Sequence, residues 1–184
     1  MDKPHLKQTI YRWRVRTGFL ASLITLIAAH PDFLSLIYGF IVALIGLALR
    51  TWACINLKKE KELTTSGPYR YTRNPLYLGN LIIGIGIVIA SRSWWVLALF
   101  FVYFLVFYPI AIDVEKKRMA EFFPDGYSEY SQKVPLFIPT LKPKLPAGEK
   151  RASRQLYRKN REYRALMGTT IYWIVLLVKL LIFF

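Results

Sequence analysis

WWVLALFFVYFLVFYPIAI, residues Trp94 to Ile112, is a run of 19 residues without a charged side chain. As a helix rising about 1.5 Å per residue it would cover about 28 Å, close to the ~30 Å hydrocarbon layer of a bilayer. Working outward, Phe33–Leu49 is a second such run, extendable past Arg50 to Leu57, and Leu76–Ala90 is a third. Ala165–Phe184 is a fourth, interrupted only by Lys179, which can snorkel towards an interface from a chain end. Thr17–Ala29 is apolar but has only 13 residues, short of a full span unless Tyr11 and Trp13 extend it. The expected fold is therefore all-α: a polytopic membrane protein of about five transmembrane helices, at about 17–29, 33–57, 76–90, 94–112 and 165–184.

Composition agrees. The chain has 184 residues, 54% of them apolar, yet Lys+Arg number 26 against 11 Asp+Glu. A soluble basic domain or a disordered basic tail would lack this much Leu, Ile and Phe, so nucleic acid is not an expected partner. The charge is segregated: residues 1–16, 50–75 and 113–164 hold 24 of the 26 positive side chains, leaving Arg92 and Lys179. With five spans those three segments share one side, which the positive-inside rule makes cytoplasmic, along with the N-terminus. The basic N-terminus resembles a signal-peptide n-region, but His30-Pro31-Asp32 stands where a cleavage site would be, and it reads as retained. The one cysteine, Cys54, cannot form an internal disulfide or a thiolate zinc cluster.

The polar segments divide the rest. Asp113–Val134 is expected as a cytoplasmic helix ending before Pro135, and residues 1–139 would form the membrane core. In the remainder, 140–184, Thr140–Gly148 reads as a semi-extended linker with Pro143 and Pro146. Glu149–Arg164 reads as a basic helix meeting anionic lipid headgroups before the fifth span. Phosphate loops, HExxH and nucleophile elbows are missing, and Gly84-Ile85-Gly86 lies inside an apolar run without a third glycine.

The chemistry gathers around Leu63–Gly79, LTTSGPYRYTRNPLYLG. Gly67-Pro68 and Asn74-Pro75 are turn signals, and Pro75 suits the first turn of the span that follows. The free N–H groups of a helix start favour an anionic group such as a carboxylate, and Tyr69, Tyr71 and Tyr77 offer ring faces to an adenine or a sulfonium. An ordinary membrane interface also collects Tyr and Arg. Asp113, Glu115 and Arg118, followed by Tyr127 and Tyr130, form a second constellation. Carboxylates at the end of an apolar span are costly unless solvated or paired. Glu115 and Arg118 could equally pair on a helix surface.

Together, Gly67-Pro68-Tyr69, Arg73-Asn74-Pro75-Leu76-Tyr77-Leu78-Gly79, Glu115 and Tyr127-Ser128-Glu129-Tyr130 with Val134-Pro135 resemble the isoprenylcysteine carboxyl methyltransferases and the related phospholipid methyltransferases. The resemblance covers about Cys54 to Pro139. It implies an integral membrane enzyme that uses S-adenosylmethionine, held by cytoplasmic loops, to methylate a lipophilic small-molecule, lipid or prenylated acceptor. By position it implies cofactor contacts at Lys61, Glu62, Leu63, Thr64, Tyr69, Asn74, Pro75, Leu76, Tyr77 and Glu115. Arg73, beside them, becomes the expected partner of a carboxylate, and Arg73 and Glu115 the candidate catalytic residues. The chain departs from the prenylcysteine enzymes at Asn74 for histidine, Ala111 for arginine, Lys116 for an acid and Phe123-Pro124 for Phe-Gly. The expected membrane is the inner membrane of a prokaryote or the endoplasmic reticulum of a eukaryote. Rival readings are a phospholipid N-methyltransferase, an NADPH-dependent membrane reductase and a non-enzymatic lipid-binding protein.

Overall fold

The computed structural model describes residues 3–58, 62–146 and 153–183, with side chains from residue 6 onward. Among them it contains seven α-helices and no strand: α1 (Lys3–Ala28), α2 (Phe33–Cys54), α3 (Pro75–Ser91), α4 (Trp94–Phe122), α5 (Pro124–Lys133), α6 (Arg154–Lys159) and α7 (Tyr163–Phe183). A single 3₁₀ turn, Gly67–Arg70, lies between α2 and α3. Helices α2, α4 and α7 are each long and apolar enough to cross a membrane, and α3 is an apolar helix of 17 residues. The protein is all-α, and large apolar side chains such as Phe19, Ile45, Leu105 and Leu181 face outward along its long helices. Such outward faces suit lipid, in which helices satisfy every backbone group internally.

The closest helix pair is α2 with α3. Hydrocarbon provides no hydrophobic force between helices, so close approach of backbones carries the packing. Gly39 on α2 faces Gly86 on α3, and Gly46, seven residues on, faces Gly79, seven residues back. A Cβ added to Gly86 would lie 2.5 Å from the Gly39 carbonyl oxygen, and one on Gly46 would lie 2.7 Å from that of Gly79. At one end of the hairpin, Asp32 caps α2: Ser35 N donates to Asp32 Oδ1 at 2.7 Å, and Asp32 N donates to Ser35 Oγ at 3.0 Å. Arg92 pairs with the same carboxylate, and His30 N donates to Ser91 O at 2.8 Å, so the α1–α2 and α3–α4 connections share this end.

Three elements differ from the sequence-based expectation. The short run Thr17–Ala29 is, up to Ala28, the second half of α1, a helix of 26 residues whose basic first half continues it beyond the apolar part. Lys7 Nζ on that half donates to Asp113 Oδ2 at 2.7 Å, and this bond chiefly holds the Asp113 carboxyl below its usual range. The fourth span and the cytoplasmic helix expected from Asp113 are one rod, α4, which runs unbroken to Phe122 and restarts at Pro124 as α5. The backbone of Phe123 leaves the helical region, at φ −135° and ψ 61°, so the break falls just before Pro124 and not at the apolar-to-polar boundary, while Pro109 lies within α4 without ending it. The basic stretch expected as one helix over Glu149–Arg164 is described from Ser153 onward, and there it breaks. Helix α6 has six residues, and a turn through Arg161, at φ 55°, precedes α7.

Helix α7 closes the bundle. Tyr172, Trp173 and Leu176 pack with Ala29, Ala43 and Ala90 into one buried cluster. Tyr172 OH and Thr25 Oγ1 are hydrogen-bonded at 2.9 Å, and Trp173 Nε1 donates to Leu36 O at 3.2 Å. Lys179 does more than snorkel. Its Nζ donates to the carbonyls of Leu26, Ile27 and Ala29 at 2.7–2.8 Å, satisfying the orphan acceptors at the end of α1. Residues 140–146, the described part of the expected semi-extended linker, are irregular and are tied to the loop before α3. Thr140 N donates to Tyr71 O at 3.1 Å and Lys144 N to Arg70 O at 3.0 Å, while Arg70 Nε returns a bond to Leu145 O at 2.8 Å.

The α2–α3 seam makes a direct prediction. Gly86→Val should lower detergent-solubilised stability by roughly 2–3 kcal/mol through overpacking. Gly168→Ala on α7, where an added Cβ meets nothing within 4 Å, should leave it equal or slightly higher. Thermal unfolding followed by circular dichroism measures both.

Candidate active site

The loop between α2 and α3 is built before the site is. Gly67 sits at φ 58°, and a Cβ there would lie 2.6 Å from the Asn56 side chain, so this turn requires glycine. The turn buries Pro68 and Tyr69, and Asn74-Pro75 then starts α3. The segment after α5 clamps the loop from outside. Arg73 N donates to Pro135 O at 2.9 Å, Thr72 Oγ1 to Phe137 O at 2.8 Å and Asn74 Nδ2 to Leu136 O at 2.8 Å. From α5 itself, Tyr130 OH donates to Tyr69 O at 2.8 Å. Burial, the main cause in both, pushes the Tyr69 and Tyr130 phenols above their ordinary value, so both remain neutral donors at physiological pH.

Under this clamp lies a cavity of about 460 Å³. Its lining includes Glu62, Leu63, Thr64, Tyr69, Arg73, Asn74, Pro75, Leu76, Tyr77 and Glu115, so two sequence constellations separated by the α3–α4 hairpin meet in one place. Lys61 lies outside the described residues. Asn74 is at the wall, but its amide nitrogen is committed to the Leu136 carbonyl. That bond makes the side chain a brace as well as a lining group.

Glu115 is the centre of the polar contacts. Its Oε1 accepts from Tyr77 OH at 2.8 Å and from Tyr11 OH at 3.3 Å, and Arg14 Nη2 lies 3.8 Å away. Tyr77 comes from the first turn of α3 and Glu115 from α4 just past the apolar stretch, so the α3–α4 hairpin sets their separation. Across the cavity, Arg73 Nη1 donates to Tyr127 OH at 3.3 Å. Arg73 Nε is the one buried side-chain nitrogen or oxygen among the described residues that lacks a hydrogen-bond partner. Burying such a donor without a partner is costly, and a carboxylate ligand would satisfy it. An orphan guanidinium donor, a carboxylate and several tyrosines in one wall offer contacts to a small zwitterionic ligand with an aromatic ring.

Arg14, Arg50, Lys58 and Asn80 are among the lining residues that were not expected from sequence. Arg14 reaches in from α1, with Tyr11 beside it, stacking its guanidinium 3.7 Å from the Tyr11 ring centroid. Arg50 and Asn80 come from the facing ends of α2 and α3, with Arg50 Nη1 donating to Asn80 Oδ1 at 2.5 Å. Lys58 enters the wall paired to Glu62 at 2.6 Å. Arg14, Tyr11 and Arg50 read in sequence as interfacial charge and aromatics, and no local spacing separates them from their neighbours.

A second cavity, about 360 Å³, lies between α1, α3 and α4 and is mainly apolar, lined by residues such as Ala21, Ile87, Leu99 and Phe100. Arg14, Val15, Tyr77 and Asn80 line both cavities, so the polar and apolar spaces adjoin at these side chains. Among the described residues no three His, Cys, Asp or Glu side chains are grouped to hold a metal ion.

Comparison with known proteins follows the same boundaries. The chain is 31% identical over 138 residues to the cobalt-zinc-cadmium resistance protein CzcN of Cupriavidus metallidurans, which covers 70% of this chain and 62% of that protein. It is 32% identical over 83 residues to the protein-S-isoprenylcysteine O-methyltransferase of Schizosaccharomyces pombe, covering 45% of this chain and 35% of that enzyme. With the enzyme of the same name from Saccharomyces cerevisiae the identity is 30% over 115 residues, covering 56% and 48%. The chain thus spans less than two thirds of the length of each of these relatives. No solved structure matches it. A family model described as phospholipid methyltransferase matches residues 34–126, the stretch from α2 to the start of α5 that carries Tyr69, Arg73, Tyr77 and Glu115. By that match, over half of its length, the chain belongs to the phospholipid methyltransferase family.

Proposed function

We propose that the protein is an S-adenosylmethionine-dependent methyltransferase of the membrane that acts on a lipophilic acceptor. One observation carries the reading: a polar cavity with an orphan arginine donor and a tyrosine-bound carboxylate adjoins an apolar cavity among the helices. When bound, the cofactor supplies an electrophilic methyl group on a sulfonium whose neutral thioether is a good leaving group. An acceptor's lone pair would take that methyl group, the electron pair of the broken sulfur–carbon bond leaving with sulfur.

The chain's own residues bind, orient and exclude water. Arg73 holds the carboxylate of the donor, and Glu115, fixed by Tyr77 and Tyr11, takes an ammonium or ribose hydroxyls. Tyr69, held neutral by burial, and Leu63, Thr64 and Leu76 line the wall around the adenosine. Alignment of acceptor and donor is the main source of rate in such a displacement. The apolar cavity supplies it by taking an acceptor's chain from the lipid side while its polar end meets Tyr77 and Asn80. The loops that form the polar cavity face the cytoplasm in this reading, since residues 1–16, 50–75 and 113–164 hold nearly all the positive charge. The basic residues Arg154, Arg158, Lys159 and Arg161 then meet anionic headgroups beside α7.

Titration calorimetry in detergent tests the donor half. Wild type should bind S-adenosylmethionine, and Glu115→Ala or Arg73→Met should weaken binding by roughly 10–100-fold, the worth of one charge-assisted hydrogen bond. No binding to wild type, or equal binding to both variants, would sink the reading.

The acceptor half is tested separately. Ala21→Phe, which fills the apolar cavity, should lower kcat/KM for a lipophilic acceptor by at least about tenfold, the worth of displacing a few buried methylenes. The donor Kd should stay unchanged. Transfer of a labelled methyl group from the donor into lipid, protein or small-acid fractions of the membrane identifies the acceptor class.

A further inference from the structure

The C-terminal helices lie outside the stretch matched by the family, yet they reach the polar cavity through one buried ion pair. Glu162, in the turn between α6 and α7, is 3% exposed. It receives Arg50 in a two-bond fork, Nε to Oε1 at 2.8 Å and Nη2 to Oε2 at 2.8 Å. Cys54 Sγ donates to Oε2 at 3.0 Å. The third guanidinium nitrogen, Nη1, goes to Asn80, which lines both cavities. Arg50 therefore lines the cavity with each of its three guanidinium nitrogens engaged, two bonds to Glu162 behind it and one to Asn80 beside it.

The turn that delivers Glu162 is built for it. Asn160 Nδ2 donates to the carbonyls of Cys54 and Leu57, both at 2.9 Å, and so caps the end of α2. Ser153 N donates to Ile55 O at 3.1 Å. Arg161 takes a left-handed conformation at φ 55°, an unfavourable one for a side-chain-bearing residue, immediately before the carboxylate. Strain of this kind persists where the surroundings enforce it.

Charge gives the arrangement its consequence. Among the described residues six cationic side chains and two carboxylates line the polar cavity. S-adenosylmethionine carries one net positive charge, with its sulfonium and ammonium outweighing one carboxylate, whereas the thioether product is net neutral. Every uncancelled cation in the wall disfavours the donor relative to the product. A guanidinium stays protonated even when buried, so Arg50 is cancelled only by a partner.

We propose that Glu162 is a positioning residue of this site. It fixes the Arg50 guanidinium in the cavity wall, cancels its charge, and thereby favours the cationic methyl donor over the neutral product. The inference rests on the methyltransferase reading above and assigns α6 and α7 a part in it.

The experiment measures Kd for S-adenosylmethionine and for S-adenosylhomocysteine by calorimetry on the full chain. Glu162→Gln should shift the ratio of the two affinities about tenfold against the cationic donor, the effect of one unit charge acting over about 10 Å at an effective dielectric of about 20. The double variant R50M/E162M removes both charges and should return the ratio to the wild-type value, while both affinities fall together because Asn80 has lost its partner. Glu162→Asp, which retains the charge at shorter reach, should also keep the ratio, and it tests the idea even if Glu162→Gln does not fold. An unchanged ratio in Glu162→Gln, a ratio left shifted in the double variant, or a shifted ratio in Glu162→Asp overturns the inference while the methyltransferase reading stands. Wild type that binds neither ligand overturns both.

Discussion

The backbone contact between α2 and α3 is the constraint from which the rest of the structure follows. Within lipid, two helices gain little by hiding apolar surface from one another, so only a close-fitting seam fixes their relative height. Gly39 against Gly86 and Gly46 against Gly79 provide that seam at matched seven-residue intervals. With the register fixed, Arg50 at the end of α2 stands beside Asn80 near the start of α3. The described connecting residues, 55–58 and 62–74, then lie over the short gap between the two helix ends. Gly67 and the paired prolines make that closure tight, and the segment after α5 clamps it.

The cavity is consequently a boundary structure. Its floor is the end of a helix bundle and its roof is loop, so charged and apolar linings meet within a few side chains. Tyr77 shows how the two are joined: its ring packs edge-on against Tyr108 at a centroid distance of 5.5 Å, and its hydroxyl reaches Glu115. A carboxylate this close to an apolar stretch requires partners, and it has Tyr77, Tyr11 and Arg14 from two other helices. The same economy appears at Lys179, whose charge lies within an apolar helix and is absorbed by three carbonyls at the end of α1.

Much of this was legible in the residues alone. Long apolar runs marked α2, α4 and α7, and a shorter one marked α3, because length and hydropathy are local properties. The pattern around Gly67 to Gly79 was legible because turns and helix starts need particular residues at particular positions, and Glu115 stood out as a carboxylate beside an apolar run. The extents of α1 and α4 were less legible. Charge pattern suggested a boundary at Thr17 and another at Asp113, but helix propagation depends on backbone hydrogen bonds, which cross a change from apolar to polar residues without interruption, and α4 continues even past Pro109. The break of the basic stretch at Asn160–Glu162 was hidden too, since it is imposed by bonds to the end of α2.

The sequence by itself therefore determined the class of protein, the helices that suit lipid and the loop that lines the polar cavity. Each of these follows from composition and spacing over a few turns of chain. Only the tertiary structure decided that Arg14 and Tyr11 meet Glu115, and that Glu162 holds Arg50 across 112 residues. Those pairings depend on the height at which separate helices pack, and that height is set by the glycine contacts between backbones, which no periodicity in one segment can express.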